Sequence, residues 1–233
     1  MSISRFVCLP ALALIGSLGL AFADDAPVDL HPPASAKPAK TRPTKGPAAT
    51  AAPAGEISAA EAVSRANGYL NGMQSMIADF VLVGPDGHRA EGKLSLQRPG
   101  RMRFQYAPPD RLEIVADGRS VAVRDQKLNT QDLYFIGQTP LKFLLADHVD
   151  LARDTQVKQV TSDANAVSIQ IFDKATFGGS ANITLLFDPQ SFALKQWTVL
   201  DAQGYETVTK LFNVDLTTPP DPSLFKIDEQ RMR

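Results

Sequence analysis

Cysteine is almost missing from this chain of 233 residues: Cys8 stands alone. It lies near the start of the N-terminal apolar run, whereas a cysteine destined for lipid attachment would lie at the end of one. If that run is removed on export, the remainder can hold no disulfide, no thiol nucleophile and no thiolate metal ligand. Histidine is scarce too. His31, His88 and His148 are far apart and lack partners at ligand spacing, so no metal site is expected. Positive charge is not in excess, since 24 Lys and Arg face 25 Asp and Glu. That balance argues against nucleic acid as a partner, which would require a basic face. No phosphate-binding loop and no Gly-x-Ser-x-Gly elbow occur, and the sequence is not expected to encode an enzyme.

Long apolar runs are confined to the start of the chain. Arg5 supplies a positive charge, the stretch from Phe6 to Leu20 is uncharged and apolar, and Ala21-Phe22-Ala23 has the small-x-small form of a cleavage signal before acidic Asp24 and Asp25. This is the layout of a secretory signal peptide, with cleavage expected after Ala23 and the periplasm as the destination. The alternative is a retained anchor. The run is short of the roughly 18 to 20 apolar residues that a spanning helix needs, and Pro10 interrupts it. Removing residues 1–23 takes away one cation, Arg5, and no acid.

Residues 24–57 are expected to form a linker. Pro27, Pro32, Pro33, Pro38, Pro43, Pro47 and Pro53 punctuate a background of Ala, Lys and Thr. Such a segment buries too little apolar surface to offset its ordering entropy. A flexible chain of this length reaches roughly 30 Å between its ends.

A domain is expected over 58–233. Ser58 and Glu61 have the spacing of a capping box, and Ala62, Ala66, Tyr69, Leu70 and Met73 recur at helical spacing, which predicts a helix ending near Gly72. Period-two alternation follows. Met76 to Val83 is one strand candidate, and Gly92, Leu94 and Leu96 form the next. Met102, Phe104 and Tyr106 alternate with Arg103 and Gln105; Leu112, Ile114 and Ala116 alternate with Glu113 and Val115. Val121 and Val123, Val167 to Ile171, Ile183 to Phe187, Trp197 with Val199, and Thr207 to Val214 continue the series. The spacing predicts one antiparallel sheet of roughly ten strands, large enough to curl, with an apolar concave face. One stretch breaks the rhythm: Thr139 to Ala146 reads as a short helix with Pro140 in its first turn. Together the two helices are the natural lids for the concave face of a curled antiparallel sheet, which makes the fold class mainly β (α+β).

An ordered set of short motifs then resembles the LolA family of outer-membrane lipoprotein carriers. The set comprises Gly92, Arg98-Pro99-Gly100, Arg103-Phe104-Gln105-Tyr106, Pro108-Pro109, the Ile114 to Arg119 hairpin with Asp117-Gly118, Thr139-Pro140-Leu141, and Pro219 to Ile227 with Leu224-Phe225. It spans about Ser58 to Asp228. The resemblance implies a strongly curved, incomplete barrel whose cavity takes the acyl chains of a lipoprotein. It implies partners as well: acylated lipoproteins, an inner-membrane ABC-type releasing complex and an outer-membrane acceptor. No cofactor is implied, and the carrier is expected to act as a monomer.

Residues read from below agree with that implication. Leaving acyl chains in water costs about 0.8 kcal/mol per CH₂, so a carrier needs a deep apolar surface that opens and closes. Leu94, Leu96, Met102, Phe104, Tyr106, Ile114 and Trp197 are the candidate lining, and Leu141, Leu144 and Leu145 the candidate lid. The plainer reading is that these are core residues packed on one another. Arg98 is in register with Leu94 and Leu96, so its guanidinium is expected to face the apolar interior and to need hydrogen-bond partners there. The family resemblance implies that it bonds backbone groups of the lid and latches it. The plainer reading leaves Arg98 exposed at the turn before Pro99. Two other functions fit the same pattern: a carrier of a different lipid or glycolipid, and a half-barrel envelope sensor.

Overall fold

The computed structural model describes residues 57–140, 142–176 and 179–228. The expected signal peptide, nearly all of the linker and the lid candidate Leu141 lie outside those residues. Among the described residues, no helix is long and apolar enough to cross a membrane.

Helix α1 (Ala59–Gly72) begins where the serine cap predicts. The Glu61 N–H donates to Ser58 Oγ at 3.2 Å, and the Ala62 N–H donates to the Ser58 carbonyl at 2.9 Å. Orphan donors of the first turn are thereby satisfied. Ala62, Ala66 and Leu70, four residues apart, form its buried stripe.

Two antiparallel meanders follow. The first is β1 (Ser75–Val83), β2 (Arg89–Gln97), β3 (Arg101–Tyr106), β4 (Leu112–Asp117), β5 (Ser120–Asp125) and β6 (Thr130–Phe135). The second is β7 (Gln156–Ser162), β8 (Val167–Thr176), β9 (Gly179–Phe187), β10 (Leu194–Leu200) and β11 (Glu206–Asp215). Pairing of β1 with β11 fuses them into one 11-stranded sheet, with β6 and β7 as its edges. The short 3-10 turn Ile136–Gln138, just after one edge, touches β8, beside the other edge. The sheet therefore curls until its ends approach each other.

The alternation read from the sequence predicts roughly ten strands. It did not pick out β6 and β7, and the reason lies in their position. Edge strands here are half wet, so neither needs a regular apolar face: in both, no residue is fully buried.

Cross-strand rows build the concave face. Met76 lies opposite Leu96, Leu96 opposite Met102, and Met102 opposite Ala116. A parallel row joins Ala78, Leu94, Phe104 and Ile114. On the other wing, Trp197 faces Leu185, and Leu185 faces Ile169. Gly92 keeps one row open. A Cβ there would meet the Gln105 carbonyl and sit 2.8 Å from the Phe80 ring. Its absence lets Phe80 lie edge-on to Phe104 and Tyr106, with centroids 5.0 and 5.1 Å away.

The convex face departs from expectation at β4. Glu113 and Val115 are on its outer side but are buried all the same. The C-terminal 3-10 turn Pro222–Phe225 packs across β3 and β4 there and inserts Phe225. An outward residue is dry here because a later segment covers it, and alternation within β4 carries no sign of that.

Candidate functional site: the lidded interior

The lid region occupies the crossover between the two meanders. Its centre is α2 (Lys142–Leu145), shorter than the Thr139 to Ala146 helix that the sequence predicts. A further one-turn helix, α3 (Leu151–Asp154), follows, capped by the Asp150 side chain. Phe143, Leu144 and Leu145 are all buried. Phe143 was not among the lid candidates; on so short a helix nearly every side chain faces the sheet.

The candidate lining is brought together. Leu94, Leu96, Met102, Phe104, Tyr106 and Trp197 are buried in one cluster with Leu144 and Leu145, and Ile114 packs against it half-exposed. Phe104 meets Trp197 edge-on at 6.3 Å. The rings fill the interior between them. A 650 Å³ groove opens elsewhere, where Tyr69, Leu194, Leu211 and Val214 line the gap between α1, β10 and β11. Neither this groove nor a 260 Å³ cleft under the C-terminal tail is lined by Leu94, Phe104 or Trp197. With the lid in this position, Leu94, Leu96 and Trp197 are almost wholly buried by their neighbours.

Arg98 stands at the end of β2, 7% exposed. Its Nε donates to the Leu144 carbonyl at 2.9 Å and its Nη2 to the Phe143 carbonyl at 3.0 Å. Two further backbone bonds frame it: the Arg98 N–H reaches the Gln74 carbonyl at 2.9 Å, and the Gly100 N–H reaches the Leu145 carbonyl at 2.8 Å. Gly100 has φ +77°, and a Cβ on it would lie 2.6 Å from Gly118 Cα. The Arg-Pro-Gly and Asp-Gly turns touch, and glycine alone permits that approach. Burial lowers the Arg98 pKa from its ordinary value, and the nearby Asp147 charge acts the other way. Nη1 of Arg98 is buried with no hydrogen-bond partner among the described residues. The guanidinium is held by neutral carbonyls, which makes it a fastening of modest strength. A net hydrogen bond to a charged group is worth roughly 1.5–3 kcal/mol.

Behind α2 the chain is tied to α1. Asn71 donates from Nδ2 to the Val149 carbonyl and accepts from the Val149 N–H at Oδ1, both at 2.8 Å. Asn67 Oδ1 accepts from the Leu151 N–H at 3.1 Å. Ahead of that tie, Lys142 Nζ lies 2.8 Å from Asp173 Oδ2, and Asp173 is buried on β8. Neither Lys142 nor Asp173 was a candidate from the sequence. One signal was present: Asp173 continues the inward register of Ile169 and Ile171, so a carboxylate on that face needs a partner.

The buried hydroxyl of Tyr106 has no hydrogen-bond partner among the described residues. Burial raises the Tyr106 pKa, and the Asp110 charge adds to the shift. Among the described residues no group of three or more His, Cys, Asp or Glu could hold a metal ion.

Comparison with known proteins agrees with this architecture. The profile of the family described as outer membrane lipoprotein carrier protein LolA matches residues 71–228. An outer-membrane lipoprotein carrier protein of Leptothrix cholodnii is 28% identical over 154 residues, covering 62% of this chain and 71% of its own. A Rickettsia prowazekii protein named "Uncharacterized protein RP864" is 24% identical over 178 residues, covering 73% and 82%. Among solved structures, the LolA superfamily protein NE2245 from Nitrosomonas europaea aligns with a TM-score of 0.43 at 11% identity, over 73% of this chain and 98% of that one. The family match spans most of the chain and falls on the curled sheet, the lid and the tail: this protein belongs to the LolA family of outer-membrane lipoprotein carriers.

Proposed function

We propose that this chain is a periplasmic carrier that takes the acyl chains of lipoproteins into its lidded interior and moves them from the inner to the outer membrane. It is made with a signal peptide cleaved after Ala23. It receives cargo from an ABC-type releasing complex and gives it to an outer-membrane acceptor. No catalysis is involved.

One observation carries this reading: a buried arginine whose side-chain bonds go to the backbone of a lid over an apolar interior. Arg98 spends two of its donors on the carbonyls of α2. When an acyl chain pushes between the lid and Phe104, those bonds break, and their loss offsets part of the hydrophobic gain. Cargo is then held loosely enough to be handed on. Leu94, Leu96, Met102, Phe104, Tyr106, Ile114 and Trp197 become the walls of the space, and Leu144 and Leu145, with Leu141, its roof.

The test is to purify the mature protein from the periplasm and identify by mass spectrometry what co-elutes, wild type beside Arg98→Leu. Acylated lipoproteins, enriched on the variant, are expected. A free lipid or glycolipid in their place would move the function to a different lipid carrier. A protein that is empty in both forms would contradict the reading.

A further inference from the structure

The lid is held at more than one place, and the fastenings differ in chemistry and in position. Val149 and Leu151 are tied to α1 by the side chains of Asn71 and Asn67. That knot closes the C-terminal side of the lid. Arg98 holds the middle of α2 through the carbonyls of Phe143 and Leu144. Lys142 is the first residue of α2, and its ammonium reaches Asp173 with 3.0 and 2.8 Å contacts to the two carboxylate oxygens.

These attachments sit on opposite wings of the sheet. Arg98 directly follows β2, in the first meander, and Asp173 lies on β8, in the second. In the strand order, β1, β11, β10 and β9 separate them. The lid therefore bridges the open side of the half-barrel, gripped by one wing through neutral carbonyls and by the other through an ion pair. Asp173 faces inward, in line with Ile169 and Ile171, and is 5% exposed against 29% for Lys142. A carboxylate in that position is retained at a cost, since a well-packed apolar pair in its place is often as stable or more so.

We infer that Lys142 and Asp173 form a second clasp of the lid, distinct from Arg98, which breaks when an acyl chain enters and so sets how tightly cargo is held. The inference rests on the carrier reading above. If Val149 is the pivot, Lys142 is the end of α2 that travels farthest. Its bond to Asp173 is then the one that every opening has to break. Asp173 and Lys142 are positioning residues: they act on cargo through the lid.

The experiment uses the mature protein and a palmitoyl chain bearing an environment-sensitive fluorophore. Four forms are compared: wild type, Arg98→Leu, Asp173→Asn, and the double variant Lys142→Met with Asp173→Leu. The double variant removes both charges of the pair, so it does not strand the ammonium as Asp173→Asn does. Loss of the clasp is expected to tighten probe binding at least about fivefold, the low end of coupling between linked equilibria. Raising the salt concentration should tighten binding by wild type and have less effect on the double variant, because the ammonium is partly in water. A merely structural pair would change the unfolding midpoint and leave both readouts alone. Wild-type affinity and salt response in the double variant, with Arg98→Leu tightened, would overturn the clasp and keep the carrier reading. No probe binding by any form would overturn both.

Discussion

Two buried clusters of charge in this molecule are built in opposite ways. Under the lid, Arg98 meets neutral carbonyls. Under the C-terminal tail, on the convex side, Glu113 is gripped by Arg103 and lies 3.5 Å from Arg124. Arg103 also donates to the Leu224 carbonyl at 3.4 Å, and Gln131 to the Asp228 carbonyl at 2.9 Å, so the cluster reaches the tail itself. Full charge on both sides makes the tail cluster expensive to open. The hydrogen bonds that Arg98 gives up are to neutral carbonyls, which can turn to water once released. The comparison teaches that burial of charge is not one device. Here it serves as a permanent rivet on one face and, in our proposal, as a releasable latch on the other.

Breaking the rivet should have the largest effect. Glu113→Ala leaves two arginines facing each other under the tail, each about a quarter exposed. A loss of about 3 kcal/mol is expected, the low end for breaking a buried pair, measured by urea unfolding. Binding of an acyl probe should not change. Arg98→Leu should lose less stability, about 1–2 kcal/mol, because the Phe143 and Leu144 carbonyls lose their donor while a buried charge is relieved, and it should retain cargo more tightly. If Arg98→Leu destabilised as much as Glu113→Ala, the two clusters would be alike and the distinction would collapse. A smaller effect is expected at the cap. Ser58→Ala should cost about 1 kcal/mol, by the same unfolding measurement, with cargo retention intact. The smallest concerns the linker: deleting residues 24–56 should leave the thermal midpoint where it is, and a large fall would mean that the segment packs on the domain.

The same comparison separates what the sequence makes legible from what it hides. Inward rows such as Leu94–Phe104–Ile114 announce themselves because alternation within a strand records which face is dry. The capped start of α1 is equally readable, since Ser58 and Glu61 are neighbours in the chain. Arg98 could be placed facing inward for the same reason: it extends the register of Leu94 and Leu96. The bonds it makes could not, because Phe143 and Leu144 lie over forty residues away, and only folding sets them beside it. The burial of Glu113 is hidden for a related reason. It is on the outer face, where a glutamate normally meets water, and the burying element arrives from Pro222–Phe225 at the far end of the chain. The edge strands β6 and β7 escaped because half-wet strands carry no alternation. Lys142 and Asp173 escaped because neither residue alone signals a lid, and their pairing exists only across the curl of the sheet.

Central to this account is that the interior, packed shut here, becomes the place where an acyl chain lies. Trp197 is the sole tryptophan in the chain, and it is buried against Phe104 in that interior. The most direct measurement is therefore the fluorescence of Trp197 during titration of the mature protein with a fatty acyl chain brominated near its middle. Saturable quenching, absent with the unbrominated chain and tighter in Arg98→Leu, is the predicted result. Saturable binding of the brominated chain without quenching would place it outside the lidded interior and contradict the account.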